Sequence, residues 1–201
     1  MSEQIIKYYY PIYVIFFICI VFILPSVRTY RKTGINPVTF SSKDTAHDYS
    51  GFMMKLCTFL LVIMVFIFSF SEKAYLYFVP ISYLEITAVS IFGFVIIHLA
   101  LLWIIIAQIH MGVSWRIGID ETNKTDLITS GLFSLSRNPI FLGILVNILG
   151  LFLVLPNALS FALLIAIYIV VQVQVRLEEE FLKRTNESRY SHYYSNVRRW
   201  I

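Results

Sequence analysis

Residues 137–179 read RNPIFLGILVNILGLFLVLPNALSFALLIAIYIVVQVQVRLEE. Only Pro156-Asn157 separates two apolar runs, 140–155 and 158–175. The spacing predicts one antiparallel helical hairpin. Each run is shorter than the roughly 20 residues a helix needs to cross about 30 Å of hydrocarbon, but both ends of a hairpin emerge on the same side. Arg137 stands at its entrance, and Glu178 and Glu179 stand at its exit. The hairpin therefore brings an arginine and two carboxylates together at one membrane surface.

Three further apolar runs precede it, at 8–27, 56–71 and roughly 86–109. Of 201 residues, 58% are hydrophobic and 14% charged, with a mean hydropathy of +0.75. A soluble domain of this size has too little interior to hide that much apolar surface. The expected fold is all-α and polytopic, with about five transmembrane helices, the last two paired, and a helical C-terminal segment. A single membrane domain is expected over 1–201, with three spans up to residue 110 and the polar loop, hairpin and tail from 111. The first run ends Leu24-Pro25-Ser26-Val27-Arg28 and lacks a small-x-small cleavage site, so it is expected to be a retained span.

Charge is sorted by topology. With the N-terminus outside, Lys7 and Lys73 lie outside and the other fourteen of the 16 basic residues lie inside. The positive-inside rule then places both long polar loops and the tail in the cytoplasm. The net charge of +4 is therefore no nucleic-acid patch. The basic first loop is expected to meet anionic headgroups or to gate a pocket. Cys19 and Cys57 fall inside apolar runs as small core residues. His47 and His192 lack partners at metal spacing, so they are expected at the surface and no metal is expected. His98 is expected in an interhelical hydrogen bond, Gln108 and His110 stand where a ligand could be touched, and Tyr8-Tyr9-Tyr10 reads as an interfacial belt.

At the hairpin entrance, Pro139 suits the first turn of a helix, with Ser136 or Asn138 as cap. The free N–H groups there suit an anion or a polar ligand group. Gly143 and Gly150, with Asn147 between them, form a small-residue face for close helix contact. At the exit, Glu179 with Lys183, and Glu180 with Arg176 and Arg184, have the spacing of exposed helix pairs. Glu178 differs, because Val175, Phe181 and Leu182 surround it on the apolar stripe. An inward carboxylate needs a partner: a salt bridge to Arg137 or Arg176, or a cationic ligand.

The run Leu127-Ile128-Thr129-Ser130-Gly131-Leu132-Phe133, then Arg137-Asn138-Pro139-Ile140-Phe141-Leu142-Gly143, resembles the signature of the isoprenylcysteine carboxyl methyltransferase and phospholipid methyltransferase superfamily. The tail is similar to the family's closing element through Glu178-Glu179-x-x-Leu182, Tyr190-x-x-Tyr193 and Val197-x-Arg199-Trp200-Ile201. Met111-Gly112-x-Ser114-Trp115-Arg116 and Gly34-Ile35-Asn36-Pro37 also resemble bacterial members. The resemblance implies a membrane enzyme that uses S-adenosylmethionine, held in a cytoplasmic pocket roofed by the C-terminal segment, with a lipophilic or small acceptor. It implies that Thr125, Asp126, Leu127, Ile128, Phe133, Asn138, Pro139, Ile140 and Phe141 line the cofactor pocket. Glu178 would be the main carboxylate and Glu179 its support, while Arg137 or Arg176 would hold an anionic substrate group.

The chain departs from the pattern at Phe133, Asn138 and Phe141, where the family has Tyr, His and Tyr, and at Asn186-Glu187. Gln174 stands where prenylcysteine enzymes carry a substrate-orienting arginine. Two other readings stay open: a sterol-reductase-like enzyme using NADPH, and a non-catalytic membrane scaffold.

Overall fold

The computed structural model describes residues 3–40, 44–123 and 126–201. Its elements are helical: α1 (Glu3–Ile18), α2 (Leu24–Thr33), α3 (Ala46–Phe70), α4 (Glu72–Tyr75), α5 (Thr87–Met111), α6 (Pro139–Val154), α7 (Ala158–Thr185) and α8 (Glu187–Asn196). Among the described residues there is no strand, only two isolated bridges, Val38 to Ile117 and Pro80 to Asn157. Four helical segments are long and apolar enough to cross a membrane: Lys7–Thr33, Ala46–Phe70, Thr87–Ser114 and Ala158–Thr185. Pro139–Val154 is a shorter apolar helix.

α1 and α2 are joined without a break by a π-helical turn, Cys19–Ile23. Pro25 explains the turn. It has no N–H for the carbonyl four residues back, and its ring would collide with that carbonyl in a regular helix. That carbonyl belongs to Val21, and it accepts a 2.7 Å hydrogen bond from Gln108 Nε2 on α5 instead. A proline in the first helix thus fixes a polar side chain of the third span.

α3 begins ten residues before the apolar run at 56. Thr45 caps it by accepting from the Asp48 N–H at 3.2 Å, and Asp48 lies in the first turn, where a negative charge is favoured. α7 begins at a full capping box between Asn157 and Ser160. It then runs through the charged stretch to Thr185, well past the apolar boundary at 175.

α6 packs most extensively on α5. A Cβ built at Gly143 would lie 2.4 Å from Ile104, and one at Gly150 would lie 2.5 Å from Ile97, so only glycine admits this approach. Between these glycines, Asn147 is fully buried and bonds to Tyr13 and, at 3.2 Å, to the Ile97 carbonyl. His98 makes the interhelical bond read from the sequence: its ring meets the Tyr9 hydroxyl and donates to the Phe94 carbonyl at 2.7 Å. The tyrosine run is not a uniform belt. Tyr8 is exposed, whereas Tyr10 is buried and Tyr9 turns to His98, because a helix rotates successive side chains by about 100°.

The connections sort to two ends. At one, Lys7 pairs with Glu72, and Ile81 N–H donates to the Pro156 carbonyl at 2.8 Å. At the other, Pro37 and Thr39 pair with Ile117, and residues 136–138 meet the C-terminal tail. The polar residues of interest gather at that second end.

Candidate active site

A cleft of about 1000 Å³, including the space open to solvent, lies at this second end. Gln108 from α5, Trp115 and Arg116 from the following loop, Phe133, Asn138 and Pro139 from the entrance to α6, and Gln174 and Glu178 from α7 all line it. The first loop closes over it. Ile117 N–H donates to the Pro37 carbonyl at 2.8 Å, and Thr39 N–H donates to the Ile117 carbonyl at 3.1 Å. Phe40, stacked on His47 at 4.5 Å, completes that cover.

His47 is therefore not a surface residue, as its isolation in the sequence suggested. Its Nε2 accepts from Ile119 N–H at 3.2 Å, and its Nδ1 lies 3.4 Å from Gln174 Nε2. The ring sits against Gly118, where φ is +92° and a Cβ would lie 2.7 Å from it. Sequence spacing carried no signal for these contacts, which join residues 72 and 127 positions apart.

The surroundings of Glu179 differ from those its spacing suggested. Glu179 is buried and is not an exposed partner of Lys183. Its carboxylate accepts from Arg137 Nε at 3.2 Å, from Asn138 Nδ2 at 3.1 Å and from Arg199 Nη2 at 2.7 Å. Glu180 lacks the expected partners as well: Arg184 reaches Glu121 at 3.0 Å, and Arg176 bonds to Gln172. Glu178 is half-buried, faces the cleft and accepts from Gln174 Nε2 at 2.8 Å. Neither Arg137 nor Arg176 pairs with it. Helix rotation puts one carboxylate in the cleft and its neighbour in the ion cluster behind it.

Arg137 lines the cleft, but its Nε and Nη1 are engaged. Nη1 donates to the carbonyls of Tyr194 at 3.0 Å and Val197 at 2.5 Å, and the guanidinium lies 4.1 Å from the Tyr194 ring centroid. Ser136 Oγ donates to the Arg199 carbonyl at 3.1 Å, and Tyr193 OH donates to the Phe133 carbonyl at 2.6 Å. Burial raises the Tyr193 phenol to about 12, with Arg137 opposing and Glu179 adding. The tail thus braces the turn that enters α6 rather than roofing the cleft; lining residues of the cleft end at Leu182.

Phe133, Asn138, Pro139, Ile140, Phe141 and Glu178 converge on this cleft. Asp126, Leu127 and Ile128 do not. Asp126 is exposed, and Leu127 lines a separate groove with Arg189, His192 and Tyr193. That stretch runs along α8 until Gly131, at φ +64°, turns it and Leu132 N–H donates to His110 Nδ1 at 3.2 Å. Thr125 lies outside the described residues. Arg176 is exposed and lies outside the cleft lining. Among the described residues, no group of three or more His, Cys, Asp or Glu is placed to hold a metal ion.

A family model described as phospholipid methyltransferase matches residues 88–189. That segment runs from α5 into α8 and includes Arg116, the entrance to α6 and both glutamates. No curated protein and no solved structure matches the chain. With half of its length carried by that model, and with its span-length helices, this multi-pass membrane protein belongs to the phospholipid methyltransferase family, whose enzymes use S-adenosylmethionine.

Proposed function

We propose that this protein transfers a methyl group to the headgroup of a membrane phospholipid at the cytoplasmic leaflet. The observation that carries this reading is the shape of the cleft. Its polar mouth, with Gln174 and Glu178, shares Phe22, Met54 and Ile144 with an apolar crevice of about 480 Å³, including the space open to solvent, that reaches between the helices to Asn147 and Leu151. A head-and-chain acceptor matches that pairing of surfaces. The positive-inside count supports a cytoplasmic cleft, with the N-terminus outside and five crossings. The fourth and fifth, α6 and α7, would form a hairpin, and α6 at 16 residues would reach only about 24 Å.

S-adenosylmethionine supplies an activated methyl group on a sulfonium, together with an amino group, a carboxylate and an adenosine. The residues present fit such a group. Gln174 Oε1 is buried without a hydrogen-bond donor among the described residues, and Glu178 offers a carboxylate beside it. Phe133, Phe141 and Trp115 supply ring faces and exclude water. Displacement at an activated methyl carbon requires positioning and desolvation more than an acid or base. In this reading Glu178 and Gln174 bind, the Asn138-Pro139 turn orients, and Arg137 and Glu179 act as positioning residues that hold the turn against the tail.

Calorimetry of S-adenosylmethionine binding to the purified protein in nanodiscs tests the reading. Wild type should bind, and Glu178→Gln should weaken binding by roughly 10- to 100-fold, the worth of a hydrogen bond to a charged group. A folded wild type that does not bind would overturn it.

A further inference from the structure

Arg116 is a cation of the cleft with a buried donor that has no acceptor among the described residues. It follows the short turn Gly112–Ser114 at the end of α5, and its side chain is 8% exposed. It lines both the main cleft and an adjoining recess that shares Met111, Gly118, Glu178 and Leu182 with it. Nη1 donates to the carbonyls of Val113 at 3.0 Å and Trp115 at 2.8 Å, which fixes the guanidinium. Nε is buried and has no acceptor among the described residues. Asp120 Oδ2 lies 3.7 Å from it, an ion pair but too long for a hydrogen bond. Asp120 is itself occupied. Burial alone would raise its carboxyl, but hydrogen bonds from Asn123 and Thr122 outweigh that and hold it below its ordinary value.

A second buried polar atom on the same lining is also without a partner. Gln174 Oε1 has no donor, while its Nε2 is committed to Glu178. Buried donors and acceptors are nearly always paired in folded proteins, so two open atoms of opposite character on one cleft indicate ligand groups of opposite character. The open arginine donor calls for an anion. The open amide carbonyl, beside a carboxylate, calls for an amine. Arg137, the other arginine on the lining, is held by Glu179 and the tail. With an amide at 174, the buried donor left open on this cleft among the described residues comes from the connection after α5.

We propose that Arg116 receives the anionic group, carboxylate or phosphate, of a zwitterionic ligand whose amino group is taken by Gln174 and Glu178. The inference rests on the methyltransferase reading and deepens it, since two ligands of that reaction carry this charge pair: the amino-acid end of the cofactor and a phosphate–amine lipid headgroup.

The test is calorimetry on the full chain in a non-ionic detergent, with three probes: S-adenosylhomocysteine, methylthioadenosine, which lacks the amino-acid end, and short-chain phosphatidylethanolamine. If the anion is the cofactor carboxylate, Arg116→Gln weakens S-adenosylhomocysteine by roughly 10- to 100-fold and leaves methylthioadenosine unchanged. If it is the lipid phosphate, the same variant loses phosphatidylethanolamine and keeps S-adenosylhomocysteine. Arg116→Lys should recover part of either loss. Asp120→Asn separates a receptor from a strut: it keeps the cation, so binding should hold or tighten. Equal losses in Asp120→Asn and Arg116→Gln would overturn the proposal, as would wild-type binding of every probe by a folded Arg116→Gln. A wild type that binds neither S-adenosylhomocysteine nor the lipid would overturn the methyltransferase reading itself, and this inference with it.

Discussion

Replacing Glu179 by alanine should loosen the C-terminal tail and destabilise the whole protein. Its side chain is 7% exposed and accepts from three residues on two separate segments: Arg137 and Asn138 at the entrance to α6, and Arg199 in the tail. Removing it leaves the Arg137 guanidinium, also 7% exposed, without a counter-charge. Deleting one partner of a buried ion pair typically costs about 3–5 kcal/mol. The lower end applies here, because Arg199 is 29% exposed and can regain water; at about 3 kcal/mol, and about 2–4 °C per kcal/mol for a chain of this size, Tm falls by roughly 6–12 °C. Thermal unfolding in detergent reads the loss. Hydrogen exchange at the Arg137 amide, which donates to the Arg198 carbonyl at 2.9 Å, reads the tail. Glu178→Gln is the internal control, since Glu178 bonds only to Gln174 among the described residues and should shift Tm little. A Glu179→Ala protein that melts within about 2 °C of wild type with its tail still protected would refute the ion cluster as a structural hub.

Two further perturbations probe the frame. Gly143→Leu drives a side chain into Ile104, so α5 and α6 must part; a loss of about 1–3 kcal/mol is expected, read as a lower Tm, and an unchanged melt would contradict the close contact. Tyr193 supplies a pH dependence. Its phenol is raised from the ordinary value of 10.0 to about 12 in the fold. The neutral form is therefore favoured by folding, and this contribution is complete below pH 10 and is lost as pH rises towards 12. Tm of wild type should fall across that window, and Tyr193→Phe should lessen the fall, the remainder belonging to groups such as Tyr190, whose phenol burial also raises.

How much of this was legible beforehand differs between the frame and the site. Apolar runs mark spans because the bilayer demands them locally, so the runs at 86–109 and 140–155 fall within two residues of α5 and α6. Helix starts and ends that rest on caps were less visible: Thr45 extends α3 backwards, and α7 continues through QVQVRLEEEFLKRT because its last turns pack rather than dissolve. The motif at 137–141 and Glu178 also fall on the cleft lining. Their spacing was the local part of the signal.

What the sequence determined by itself was the membrane class, the family signature and the end of the molecule where the polar residues gather. What only tertiary structure decided was that Glu179 is buried among Arg137, Asn138 and Arg199, that His47 and Phe40 cover the cleft, that Arg137 is bound to the tail, and that Arg116 Nε has no hydrogen-bond acceptor among the described residues. The reason is physical. Hydropathy and capping act over a few residues along the chain, whereas the partners of Glu179 come from 42 residues before it and 20 after it. Those of His47 come from 72 and 127 residues away. Pairings at that range are set by how helices rotate and dock.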